Sequence, residues 1–337
     1  MPRKFLSLVI TAAAIGCGVW FQRNFEVHGL DQVTITRRGA AAAGGDGIAA
    51  DVQPTSNVPP ADHAAGTIRI ASFNIQVFGE SKLAKPQVMQ ILAQVIRRFD
   101  VVAIQEVRAT TQDVMPRFLQ LINAEGASYD FVIGPRLGRT SSKEQYAIIY
   151  NRASIEPVPG SMYTVDDPDD RLHREPMVCG FTVRGPAPGQ AFTFSLIDIH
   201  TDPDEVASEM NALDDVFRAV RDDGRREDDV ILLGDLNTDD GHLGELGKMP
   251  YLVTAISKTP SNTRGNKLYD NIIFDRRATT EYTGRSGVLN LMREYQLSLQ
   301  DALEVSDHFP VWAEFSVYEG GQRGGPVASA PGGERSR

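Results

Sequence analysis

The sequence predicts an α/β fold: two packed mixed β-sheets forming a sandwich, with helices on the outer faces, four layers in all. Three observations predict it. Apolar runs of strand length recur at 68–75, 101–105, 131–134, 147–150, 177–183, 192–200, 230–234, 269–274 and 310–315. Amphipathic helical segments interrupt those runs. Between 66 and 317 neither a low-complexity break nor a repeat appears, so this stretch reads as one domain.

The helical segments are legible from their spacing. Val88, Ile91, Leu92, Val95, Ile96 and Phe99 fall on one face after Pro86, a residue suited to a first helical turn. Val206, Met210, Leu213, Val216, Phe217 and Val220 repeat the pattern, and helices among so many strands pack on the outside of sheets. In the run at 177–183, Met177, Cys179 and Phe181 alternate onto one face, which makes Cys179 a buried structural thiol. The chain's other cysteine, Cys17, lies in an apolar N-terminal run, so the domain is expected to hold no internal disulfide.

The flanking segments differ from the domain. Arg3 and Lys4 precede an uncharged run at 5–21 that resembles an export signal and is near the shortest length for a membrane span. Ala12-Ala13-Ala14 offers a cleavage site only with a very short apolar core, and Ala14-Ile15-Gly16-Cys17 is a poor lipoprotein box. A cleaved signal and an uncleaved anchor both fit, the anchor slightly better. Either implies export to the extracytoplasmic side, with membrane association in the second case. Residues 22–65 read as a linker, Ala- and Gly-rich at 39–50 and Pro-rich at 54–60, with one short strand at Val33-Thr34-Ile35-Thr36. Residues 318–337, rich in Gly, Pro, Ser and Arg, read as a disordered tail.

A formal net charge of −10 excludes a nucleic-acid binder held by general electrostatics, so any such ligand must meet a local patch of Arg and Lys. Part of that acidity suits a carboxylate cluster for a divalent cation. The candidates sit where strands end. Asn74 closes Arg69-Ile70-Ala71-Ser72-Phe73-Asn74, and Glu106 closes Val101-Val102-Ala103-Ile104-Gln105-Glu106. His200 ends Ser195-Leu196-Ile197-Asp198-Ile199-His200, Asp235 and Asn237 follow Val230-Ile231-Leu232-Leu233-Gly234, and Asp307-His308 open the last strand. A carboxylate directly after an aliphatic run is costly to bury unless it is paired or bound to metal. Five such ends in one domain point to one shared site at a sheet edge.

In family order the sequence then presents Phe73-Asn74-Ile75, Phe78-Gly79-Glu80, Ile104-Gln105-Glu106-Val107-Arg108, Leu137-Gly138-Arg139 and Lys143-Glu144-Gln145-Tyr146. Arg174-Glu175-Pro176, His200 with Pro203, Gly234-Asp235-Leu236-Asn237, Tyr269-Asp270 and Ser306-Asp307-His308-Phe309-Pro310-Val311 complete the series. From about Ile68 to Phe315 the chain resembles the pancreatic-type deoxyribonucleases of the endonuclease/exonuclease/phosphatase superfamily. Gly-Asp-x-Asn and Ser-Asp-His mark the superfamily; Leu-Gly-Arg with its Lys-Glu narrows the resemblance to the deoxyribonuclease branch.

The resemblance implies metal-dependent endonucleolytic hydrolysis of DNA, leaving 5′-phosphate and 3′-hydroxyl ends. Asn74, Glu106 and Asp307 are the implied metal side, with oxygen ligands suited to Mg²⁺ or Mn²⁺. Asp235 and Asn237 are implied to orient the phosphate and the attacking water. His200 is implied to pair with Glu144 and to protonate the leaving 3′ oxygen, while His308, paired with Asp270, aids the nucleophile; a paired carboxylate favours imidazolium and fixes the tautomer. Arg108, Arg139 and Arg174 match basic residues that contact DNA. Asp166, Asp167, Asp170 and Glu175 resemble one calcium loop of the family, and a structural Ca²⁺ site and a solvated acidic loop are both readings of it.

The departures from the family pattern concern grip on the duplex. Ser142 stands where a Tyr often packs against a sugar, and Gln76 where Arg is common. Asp240 and Lys267 replace a pair of cysteines, and an ion pair between them is expected instead. His28, His63, His173 and His242 are expected to be solvated, without carboxylate partners. Two further functions compete. The same constellation serves phosphodiesterases and phosphatases of lipids, inositol phosphates or abasic DNA; a tethered binding protein without catalysis is the other, opposed by the retention of both histidine–carboxylate pairs. No protein partner is implied, and a monomer is expected.

Overall fold

The computed structural model describes residues 25–28, 34–37, 66–140 and 142–321. The apolar run at 5–21, Cys17, His63, most of the expected linker and most of the expected tail lie outside the described residues. Among the described residues no helix is long and apolar enough to cross a membrane. The chain divides into two compact units at Ser56/Asn57. In the first, β1 (Phe25–His28) pairs antiparallel with β2 (Thr34–Arg37), so the short strand expected near Val33 has a partner.

The second unit is built in two halves. The first half runs β3 (Thr67–Phe78), α1 (Glu80–Leu83), α2 (Pro86–Ile96), β4 (Val101–Val107), α3 (Val114–Asn123), β5 (Tyr129–Ile133), β6 (Gln145–Asn151), β7 (Ile155–Pro157) and β8 (Tyr163–Thr164). The second half runs β9 (Met177–Val183), β10 (Thr193–His200), α4 (Val206–Met210), α5 (Leu213–Arg221), β11 (Val230–Asp235) and β12 (Leu252–Thr254). It ends with β13 (Asp270–Asp275), β14 (Tyr282–Val288), α6 (Leu291–Glu294), α7 (Leu299–Val305) and β15 (Val311–Ser316).

One sheet has the order β14-β15-β3-β4-β6-β5; the other has β12-β13-β11-β10-β9-β7, with β8 also on β9. Each contains one parallel pair, β3 with β4 and β10 with β11, and each pair is joined by a helical crossover. All other pairings in the two sheets are antiparallel. Every expected strand is present. Strands β1, β7, β8, β12 and β14 and helices α1, α3, α6 and α7 were not foreseen. β14 carries Gly284 and Gly287 and no continuous apolar alternation, so its sequence does not read as a strand.

The alternation of side chains across each strand builds three apolar layers. Ala71, Phe73, Val102 and Ile104 face outward under α2 and α3, beside Leu92, Val95 and Phe118. Ile68, Ile70, Val101 and Ala103 face inward and meet Phe194, Leu196, Ile231 and Leu233 of the opposing sheet. Ile197, Ile199 and Leu232 face outward again, under Leu213, Val216, Phe217 and Val220. The four-layer sandwich follows, since each central strand is apolar on both faces. Met177, Cys179 and Phe181 all lie in the layer between the sheets, and burial pushes the Cys179 thiol up to about 11, as suits a structural thiol.

One helical expectation needs correction. The periodic run from Val206 to Val220 is two helices rather than one, broken at Asn211 and Ala212. The Asn211 side chain accepts from the Glu245 N–H and its carbonyl accepts from Arg171, so its polar groups serve the neighbouring loops.

Candidate active site

Parallel pairing brings the C-terminal ends of β3 and β4, and of β10 and β11, to one edge of the sandwich. His200 stands directly opposite Asp235 in register. Gly234 makes that pairing possible: its φ is +151°, and a Cβ there would sit 1.8 Å from the Ile199 carbonyl oxygen. In the other sheet Asn74 is opposite Gln105, and the ladder then breaks on both sides of Glu106. Glu106 and Val77 both adopt positive φ, +64° and +48°, an arrangement that lets the Val77 N–H donate to Glu106 Oε2 at 2.8 Å. For a β-branched residue that conformation costs on the order of 1–3 kcal/mol, so the distortion is held by its surroundings.

The two histidines have matching environments. His200 Nδ1 is 2.7 Å from Glu144 Oε1, and His308 Nδ1 is 2.8 Å from Asp270 Oδ2. Their Nε2 atoms converge on one oxygen, Asp235 Oδ2, at 3.5 Å each. Isolated bridges Leu137–Glu144 and Asn262–His308 fix the backbone of one member of each pair. Burial opposes charge on His200, but the Glu144 hydrogen bond and charge, with Asp235, outweigh it and raise the imidazole above its ordinary value. Burial likewise opposes charge on His308, and Asp270, Asp235 and Asp307 together lift it well above. Burial would raise Glu144, yet His200, Arg174 and Arg108 hold it below the usual carboxylate range.

Beside this pair lies a set of oxygen donors. The Asn74 amide donates to Glu106 Oε1 at 3.2 Å and to Asp235 Oδ2 at 2.9 Å, which leaves its own oxygen buried and without a partner. Asp307 accepts from the Gln76 amide at 3.0 Å through Oδ2, while Oδ1 is also buried and unpartnered. Burial raises the Asp307 carboxyl, and Glu106 adds to the effect against His308. Two orphaned oxygens next to Glu106 form a hard, all-oxygen donor set and fit a divalent cation. Asp235, Asp270 and His308 also bring ligand atoms within 4.8 Å of one another. Asn237, at φ +49°, donates to the Thr201 carbonyl at 2.9 Å and closes the edge beside Asp235.

Comparison with known proteins addresses what this constellation is. Residues 71–308 match the Endonuclease/Exonuclease/phosphatase family. The chain belongs to that family. Within it the curated relatives are deoxyribonucleases. The chain is 33% identical to Deoxyribonuclease-1-like 1 of Cricetulus griseus, over 75% of this chain and 86% of that one. It is 31% identical to Deoxyribonuclease-1-like 2 of Mus musculus (75% and 94% covered) and 30% identical to Deoxyribonuclease gamma of Rattus norvegicus (74% and 84%). Among solved structures, a humanized D. rerio TDP2 superposes with TM-score 0.51 at 14% identity, covering 75% of this chain and all of that one. A functionally unknown conserved protein from Enterococcus faecalis V583 gives 0.51 at 17% identity, with 73% and 98% covered. These two show the shared fold.

As a family member the chain is an enzyme of the deoxyribonuclease branch, and the sequence-predicted residues divide into those the fold gathers and those it does not. Asn74, Glu106, Glu144, His200, Asp235, Asn237, Asp270, Asp307 and His308 come together. Arg108 joins them, its guanidinium 3.1 Å from Glu106 and 2.9 Å from Ser142 Oγ. Arg174 lies beside the site, largely buried, with its Nε 3.2 Å from Glu144 and its Nε and Nη2 donating to the His200 and Thr201 carbonyls. Arg139 is engaged by Asp170 and Glu205 rather than by the site.

The calcium expectation also changes. Asp166, Asp167, Asp170 and Glu175 do not form a group of converging ligand atoms among the described residues. Asp167 instead accepts from the Leu172 N–H, and Asp170 is taken by Arg139. His173 is buried, its Nδ1 3.4 Å from Asp202 but without a hydrogen bond, and His242 pairs with Asp239 at 2.6 Å, so each stands beside a carboxylate and His173 is not solvated. Among the described residues no ion pair joins Asp240 to Lys267, whose ammonium lies over the Tyr269 ring.

Three contributors went unassigned in the sequence. The Tyr146 hydroxyl accepts from the His200 N–H at 2.9 Å, and the Ser261 hydroxyl accepts from the Asp270 N–H at 3.0 Å. Lys82 is buried, donates to the Val305 carbonyl, and is lowered to about 8 by burial, against the opposing charges of Asp307 and Glu106. Only Tyr146 carried a signal, its place beside Lys143-Glu144.

Proposed function

We propose that the chain is a divalent-metal-dependent endodeoxyribonuclease that hydrolyses DNA to 5′-phosphate and 3′-hydroxyl ends on the extracytoplasmic side. The observation that carries this reading is the convergence of His200 Nε2 and His308 Nε2 on Asp235 Oδ2. It puts two polarised imidazoles around the space a phosphate needs, with unpartnered metal-side oxygens alongside. Relatives named deoxyribonucleases supply the substrate class.

Asn74, Glu106 and Asp307 would hold Mg²⁺ or Mn²⁺, which neutralises phosphate charge and makes bound water more acidic. The protein's own groups manage the protons. Asp235 receives a proton from the attacking water, the charged His308–Asp270 pair aids the nucleophile by orienting it, and Asn237 helps seat the phosphate. His200, kept protonated by Glu144, donates from Nε2 to the 3′ oxygen as its bond to phosphorus breaks. Water's oxygen stays on phosphorus, which gives the 5′-phosphate and a 3′-hydroxyl.

Nicking of supercoiled plasmid by the purified protein tests this, run with Mg²⁺, with EDTA and with His200→Ala. Metal-dependent nicking lost in the variant supports both the activity and the acid. An intact plasmid alongside cleavage of bis-p-nitrophenyl phosphate overturns the substrate and keeps the chemistry. Inactivity on both substrates in folded, metal-supplied protein overturns the enzyme.

A further inference from the structure

A second carboxylate cluster lies at the other end of the strands that carry the catalytic groups. Asp229 immediately precedes β11, whose far end is Asp235. Glu281 immediately precedes β14, and Glu319 follows β15. Ligand oxygens of Asp229, Glu281 and Glu319 lie within 4.8 Å of one another, and Glu227 and Asp228 extend the group through Asp229.

Glu319 is exposed, but the two acids beneath it are not solvated. Asp229 is 1% and Glu281 2% exposed, and Asp229 Oδ1 and Glu281 Oε2 are buried without hydrogen-bond partners. Thr279, also buried, turns its hydroxyl toward Asp229 without reaching a bond of normal geometry, so it too is left unpartnered. Among the described residues none of the three carboxylates pairs with Lys, Arg or His. The other oxygens of Glu281 and Glu319 accept from the Gly320 and Thr193 N–H groups, which fixes the two side chains in place.

Burial of several carboxylates side by side is unfavourable unless a shared proton or a cation joins them. Burial, followed by the charge of Glu281, pushes Asp229 up to about 9, the direction expected of a group short of positive charge. The donors are oxygen only, from three separate segments, with a hydroxyl among them. That irregular, carboxylate-rich set suits Ca²⁺, which accepts six to eight oxygens in flexible geometry, better than Mg²⁺, which demands a near-ideal octahedron.

We propose that Asp229, Glu281 and Glu319, with the Thr279 hydroxyl, form a calcium site that ties the exit of the last strand to the start of β11 and so clamps the two sheets together opposite the catalytic edge. The segments belong to different sheets, β11 to one and β14 with β15 to the other. The cation therefore acts on stability and not on the reacting atoms.

Thermal unfolding of the full chain, stripped with chelator and then titrated with CaCl₂ alone, tests it. Calcium at a hundredfold excess over its Kd is expected to raise the midpoint by about 5–10 °C. Glu106→Gln, altered only at the catalytic edge, should keep that rise. Glu319→Gln, on the more exposed side of the cluster and so least disruptive to folding, should lose most of it while Mg²⁺-dependent nicking stays at the wild-type level. Asp229→Asn/Glu281→Gln should lose it as well. No rise in the wild type overturns the site, and so does a rise of equal size in Glu319→Gln and in the double variant.

Discussion

His200 and His308 face one carboxylate oxygen: the Nε2 atom of each stands 3.5 Å from Asp235 Oδ2, while a different carboxylate holds each Nδ1. The two rings come from opposite sheets. In the proposed reaction Asp235 links the two proton-handling groups, and replacing it removes the charge that both imidazoles face. Asp235→Asn is expected to lower kcat by at least about 10²-fold with little change in secondary structure, measured by plasmid nicking and circular dichroism.

If His200 is the proton donor of the proposed reaction, its pair with Glu144 sets the pH range of that role. Glu144 raises the His200 imidazole, so removing the charge lowers it. In Glu144→Gln the alkaline limb of the kcat/KM profile should move to lower pH. An unmoved limb would show that His200 is not the acid.

The His308–Asp270 pair makes stability pH-dependent. His308 is raised in the folded state above its unfolded value near 6.5, so its contribution is complete below that value. It is then lost as pH rises through the folded value. Urea unfolding is expected to show lower stability at pH 9 than at pH 6, with a flatter dependence in Asp270→Asn.

Arg174 is expected to act through Glu144, because its guanidinium is buried against that carboxylate and two backbone carbonyls. Arg174→Ala should depress kcat by roughly 10-fold or more while KM for DNA changes little. A rise in KM alone would instead make it a substrate contact.

Gly234→Ala is expected to destabilise the domain by about 3 kcal/mol or more, since its Cβ would meet the Ile199 carbonyl at 1.8 Å within the parallel pair. Chemical denaturation checks this. A soluble variant of wild-type stability would mean that β10 and β11 can separate without cost.

Metal dependence gives the remaining check. Glu106→Gln is expected to raise the Mg²⁺ concentration for half-maximal nicking at least about 10-fold, because Glu106 stands beside the unpartnered oxygens of Asn74 and Asp307.

Much of this was legible from the chain alone. The period of two in runs such as Ile68 to Ile75, with polar groups where strands end, determined the sandwich and the edge at which Asn74, Glu106, His200, Asp235 and His308 would meet. It could do so because alternation and strand polarity are local properties. Other features were decided only by tertiary structure. Whether an arginine reaches solvent depends on what packs over it, so Arg174 is buried against Glu144 while Arg139 is held by Asp170 and Glu205. The same holds for Asp229, Glu281 and Glu319, which are far apart in sequence. No periodicity relates them, and only the packing of one sheet's strand starts against the other sheet's strand exit brings their oxygens together.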